Sequence, residues 1–77
     1  MKKPKLYDET KQVIPETIQV GDYLKYIGSG ETQGERLVLL VRNIKTTKAK
    51  GITLYHFNSD SHYRLACRSD KTVEKYI

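Results

Sequence analysis

His56, Asp60, His62 and Cys67 are the residues of this chain whose types and spacing could ligate a metal or build a nucleophilic site. A structural zinc site asks for paired cysteines or for a His-x3-5-His spacing carried on a helix, and the spacing here carries no such signature. The two histidines read as surface residues near a turn. A Cys-His-Asp nucleophilic set needs an accessible thiolate, whereas the alternation around Cys67 puts it on a core face, where cysteine behaves as inert packing. No catalytic residue, metal or cofactor is therefore expected, and the chain reads as non-enzymatic.

The basic side chains carry the stronger signal. Net charge is +5, with 30% charged and 38% hydrophobic residues. Residues 1 to 35 hold five lysines against six acids, for −1, while residues 36 to 77 hold nine basic side chains against Asp60, Asp70 and Glu74, for +6. The densest parts are Arg42, Lys45, Lys48 and Lys50, which occur without an acid, and then Arg64, Arg68, Lys71 and Lys75. Cations in this number attract phosphate backbones or acidic protein patches. β-Modules that bind single-stranded nucleic acid or RNA combine such cations with stacking rings, and Tyr55 lies between the two groups. The candidate surface for nucleic acid or another polyanion is thus Arg42, Lys45, Lys48, Lys50, Tyr55, Arg64 and Arg68.

These residues need elements that bring them together. Met1 to Glu16 has Pro4 and Pro15 and no sustained periodicity, and reads as an extended or mobile lead-in to one small domain over residues 17–77. From Thr17 the pattern alternates. Ile18 to Ile27 gives two strand pieces broken by a turn or bulge at Gly21-Asp22. Gly28 to Gly34 is a glycine-punctuated loop that continues into a strand, not a helix, so it is no phosphate-binding loop. Leu37 to Val41 is apolar on both faces and suits a curved central strand carried outward by Arg42 to Lys45. Thr46 to Gly51 is a polar turn, Ile52 to Phe57 the returning strand, and His62 to Arg68 the next. Val73 to Ile77 is placed to close the sheet as an edge strand. The expected core is Ile18, Val20, Leu24, Tyr26, Val38, Leu40, Ile44, Leu54, Leu65 and Cys67.

The sum is an all-β fold, a small five-stranded antiparallel barrel with a flexible N-terminal segment, because closure removes exposed edges. Gly21-Asp22-Tyr23-Leu24-Lys25-Tyr26, followed by Ser29-Gly30, Gly34 and Leu37-Val38, resembles the opening of the SH3-like barrel superfamily in its Tudor and KOW-like branches. That opening sets a Gly-Asp before a hydrophobic first strand, then a glycine-containing loop and a valine-rich second strand. The resemblance implies a binding module. Two partners fit it: nucleic acid held on a positively charged β-hairpin surface, or an acidic protein surface engaged by a small regulator or inhibitor of the kind phages and mobile elements encode. No small-molecule cofactor and no membrane partner is expected, since the chain has no amphipathic basic helix and its longest apolar run is Leu37 to Val41. One cysteine and the absence of a secretory-type leader make the cytoplasm the expected compartment.

Overall fold

The computed structural model describes residues 3–27, 36–59 and 63–77. The chain is all-β: β1 (Thr10–Val13), a 3-10 turn at Pro15–Thr17, β2 (Tyr23–Ile27), β3 (Arg36–Leu40), β4 (Asn43–Ala49), β5 (Ile52–Asn58), β6 (Arg64–Arg68) and β7 (Val73–Tyr76). The strands form two antiparallel sheets, ordered β1-β7-β2-β3 and β4-β5-β6. Where the sequence reading has five strands in a closed barrel, the described residues form seven strands in two sheets without closure. Two causes account for the difference. Residues 10–13 of the lead-in pair with β7 from Thr10↔Tyr76 to Val13↔Val73, so β7 is an interior strand, not an edge. The expected central strand also divides at Val41-Arg42.

The division is visible in the hydrogen bonds. Val41 donates to the Asp22 carbonyl (2.9 Å) and accepts from the Gly21 amide (2.8 Å), whereas the next amide, Arg42, donates to the Asn58 carbonyl (2.8 Å). One peptide unit therefore passes the chain from the Gly21-Asp22 lead into β2 to the end of β5 in the second sheet. Gly21 makes its half of this junction at φ +100°, a backbone region that side-chain-bearing residues rarely adopt.

Ile18, Leu24, Leu39, Val41, Phe57, Cys67 and Val73 form the buried core, with Val13, Tyr26, Ile44, Tyr55, Tyr63 and Leu65 packed around it. Burying each large apolar side chain contributes roughly 1.5–3 kcal/mol. The β2–β3 register sets Leu24 opposite Leu39, so Leu39 and Val41 point inward. Val38 and Leu40, expected in the core, are only half-buried. An uninterrupted apolar run has no alternation from which to choose a face, and a one-residue slip exchanges the two. Val20 is 62% exposed, because the turn at Gly21 sends it outward while Ile18 goes in. Leu54 likewise lies on the face away from the core, opposite Thr47 and Arg68, and Phe57 is the fully buried residue of β5.

Candidate polyanion surface

The hairpin of β4 and β5 is longer and its turn tighter than the residue types suggest. Strand pairing runs from Asn43↔Asn58 to Ala49↔Ile52, leaving only Lys50 and Gly51 to turn the chain. Both have positive φ, +52° and +80°, as in the mirror-image turn whose twist matches that of the flanking strands. Thr46, Thr47 and Lys48, expected in the turn, are strand residues.

Alternation along these strands sorts the candidate residues. On the face of the β4-β5-β6 sheet away from the core, the register stacks three cross-strand rows: Asn43, Asn58 and Arg64; Lys45, His56 and Ala66; Thr47, Leu54 and Arg68. Asn43, Lys45, Thr47, His56, Asn58 and Arg64 line a shallow concavity of about 450 Å³ on that face. Within it the Asn58 side-chain amide donates to Asn43 Oδ1 (3.4 Å), and Thr47 Oγ1 lies 3.2 Å from His56 Nε2. Strand spacing puts the Lys45 and Arg64 backbones roughly 12 Å apart, close to the Debye length of about 10 Å at 0.1 M salt, so their fields overlap.

The other candidates lie elsewhere. Arg68 shares the face but holds Asp70 through two bonds, Nε to Oδ1 (3.1 Å) and Nη2 to Oδ2 (3.0 Å). Lys48 alternates to the opposite face at the exposed end of the hairpin, Lys50 sits in the turn, and Arg42 stands at the sheet junction. Tyr55 points toward the core and stacks on Phe57, with ring centroids 6.3 Å apart at 15°. It does not share the surface with Lys45 and Arg64. Sequence reasoning brings His56 near these cations but leaves Asn43, Asn58 and Thr47 out of the site. Their signal is the polar i, i+2, i+4 alternation of Asn43, Lys45 and Thr47, cut short where Thr46 to Gly51 reads as a turn.

Charge is divided between the sheets. In the four-stranded sheet Lys25 pairs with Glu74 (3.8 Å) and Lys75 with Asp22 (3.6 Å). Among the described residues no carboxylate pairs with Lys45, Lys48, Lys50 or Arg64. The other reactive types do not assemble. His62 and Asp60 lie outside the described residues, and among those described no three His, Cys, Asp or Glu side chains gather as metal ligands. Cys67 is buried, and burial, with the nearby Asp70 carboxylate adding to it, raises the thiol pKa and keeps it protonated. Among the described residues no helix is long and apolar enough to cross a membrane. No family model, curated protein or solved structure matches the chain.

Proposed function

We propose that this chain is a small non-enzymatic module of the SH3-like barrel type, open along one seam, that binds nucleic acid on the outer face of the β4-β5-β6 sheet. The observation that carries the reading is the concavity in which Lys45 and Arg64, without acid partners among the described residues, flank the side chains of Asn43, Asn58, Thr47 and His56. Cations follow a phosphate backbone, while amides, hydroxyls and an imidazole offer donors and acceptors to sugars and bases. The barrel assignment is supported by the strand that bends at Val41 to serve two sheets and by the return of β7 to β2. An acidic protein surface is the competing partner.

The test is binding of single-stranded RNA and DNA oligonucleotides across a salt series. Each phosphate contact on a single strand contributes about 0.7 to the slope of log affinity against log salt, so Lys45→Ala with Arg64→Ala lowers the slope by about 1.4. Lys48→Ala with Lys50→Ala, at the hairpin end, leaves it nearly unchanged. Absence of binding to any oligonucleotide at low salt overturns the reading in favour of a protein partner.

A further inference from the structure

Among the described residues the outer edge of β6 is open. In the three-stranded sheet β6 pairs only with β5, and among the described residues no strand covers its other side. The direction of its backbone groups follows from the bonds that bracket the ladder, Ser59 N–H to Tyr63 O (3.2 Å) and Ser69 N–H to Thr53 O (2.8 Å). Antiparallel strands alternate between residues that bond the neighbour and residues that face away. Tyr63 and Ser69 bond β5, hence so do Leu65 and Cys67, while Arg64, Ala66 and Arg68 turn their N–H and C=O groups to the open side. The Arg68 carbonyl, which accepts from the Lys71 amide (3.0 Å), conforms to this alternation. The two groups of Ala66 and those of Arg64 have no backbone partner among the described residues.

A groove of about 500 Å³ runs along this edge between β6 and the four-stranded sheet, with Leu65, Ala66 and Cys67 on one wall and Lys25, Val73 and Glu74 on the other. Its charge is one-sided. The Glu74 carboxylate is already engaged by Lys25, whereas Lys71 in the groove and Arg64, next to Leu65 on β6 but outside the groove's lining, have no carboxylate partner among the described residues. A second copy of the chain is a poor occupant. The self-pairing that uses every outward group centres on Ala66 and sets Arg64 against Arg68 of the other copy, and like charges directly opposite destabilise a strand pair.

We propose that the β6 edge captures an extended, acidic segment of a partner protein by strand addition. The added strand runs antiparallel, its backbone bonding Arg64 and Ala66, an acidic residue against Arg64 and apolar residues beside Leu65 and Cys67. This site lies along the sheet edge and shares the Arg64 side chain with the outer face, while its backbone bonds at Ala66 are its own.

The experiment titrates the ¹⁵N-labelled full chain with a capped peptide, Ser-Glu-Ile-Thr-Ile-Glu-Ser, and with its counterpart carrying Lys for both Glu. Capture shifts the Arg64 and Ala66 amide resonances for the acidic peptide, with little change at Lys45 and His56. Ala66→Pro removes a donor that serves no bond in the fold, a substitution edge strands accept, and weakens binding by about tenfold or more. Arg64→Glu, on an exposed side chain, reverses the preference toward the lysine peptide, and so tests the proposal even where the proline variant fails to fold. Equal affinity for the two peptides, shifts confined to Lys45 and His56, or β6 shifts that follow protein concentration without peptide would each overturn it. The last result would identify a second copy as the occupant. Arg64 belongs to both sites, so oligonucleotides are read out on Lys45 and His56 and the peptide on the Ala66 amide and the Ala66→Pro variant, and failure of either proposal leaves the other standing.

Discussion

The Tyr76 hydroxyl donates to the Leu6 carbonyl across 2.9 Å, tying the last strand to a segment 70 positions earlier in the chain. The ring is buried, so the bond fixes residues that precede β1 against the body of the fold. Tyr76→Phe keeps the packing and removes the bond, at a cost of about 1 kcal/mol. In a domain this small that is a fall of about 4–8 °C in melting temperature. Amide exchange in residues 6–13 should accelerate more than exchange in β5, and an unchanged pattern would mean that β1 is held by β7 alone.

The core makes a comparison of neighbours possible. Leu39 is 3% exposed, while Leu40 is half-buried on the other face of β3. Truncating a buried leucine costs about 2–5 kcal/mol, close to the whole stability of many small domains at roughly 5 kcal/mol. Leu39→Ala should unfold the chain or bring it near its midpoint at 25 °C, and Leu40→Ala should cost appreciably less. Chemical denaturation of the two variants checks the order, and the reverse order would shift the β2–β3 register by one residue.

That pair also marks how much was legible beforehand. Where alternation leaves one face clearly apolar, as at Leu24 and Tyr26 or Leu65 and Cys67, the sequence reading puts the right residues inward, whereas β5 has apolar residues on both faces and Leu54 falls on the outer one. Where they do not, as from Leu37 to Val41, the face was chosen by pairing with β2, which local pattern cannot report. The lead-in illustrates the same limit. Thr10–Val13 has too little apolar periodicity to read as a strand and becomes one through β7, with Gln12 and Thr10 each bonding Glu74 across the ladder. For the candidate surface, composition located the cations, but register decided that Lys45 and Arg64 share a face and that Tyr55 lies on the other.

The turn at Lys50-Gly51 gives opposite expectations for its two residues. Gly51 has open space where a Cβ would stand, so its φ of +80°, not crowding, is the reason for glycine. Gly51→Ala should destabilise by about 1 kcal/mol, whereas Lys50→Asn, at φ +52°, should be neutral or stabilise by a few tenths, since asparagine tolerates that region best after glycine. A fully tolerated Gly51→Ala, judged by melting temperature, would argue for a different turn.

Alkaline pH should weaken the fold through two groups. Burial is the main cause that raises the pKa of the Cys67 thiol, with Asp70 adding to it; burial also raises that of the Tyr76 phenol, with Asp8 and Glu74 adding to it. A group whose folded pKa is raised holds its proton more tightly when folded. The associated stability is complete below the unfolded value, about 8.5 for cysteine and about 10 for tyrosine, and is lost as pH climbs through the folded value. Denaturation midpoints should therefore fall above about pH 8.5, and Cys67→Ala should remove the earlier part of the decline relative to its own neutral-pH stability. An identical alkaline profile in that variant would assign the loss elsewhere.

The Arg68–Asp70 pair supplies the sharpest check on the surface assigned to nucleic acid. Both side chains are about half exposed, at 49% and 52%, and ion pairs in such positions contribute about 0–1 kcal/mol to stability. Asp70→Asn should accordingly move the melting temperature by no more than a few degrees. It also releases the Arg68 guanidinium on the same sheet face as Lys45 and Arg64 and removes a negative charge beside them. If that face tracks a phosphate backbone, the freed cation adds up to one contact, so the salt slope for a single-stranded oligonucleotide should steepen by as much as about 0.7 and binding at low salt should tighten. A variant that gains affinity without a steeper slope has only lost repulsion from Asp70. One that gains neither, while remaining folded, leaves Arg68 outside the path of the ligand and restricts the contact to the concavity between β4 and the start of β6.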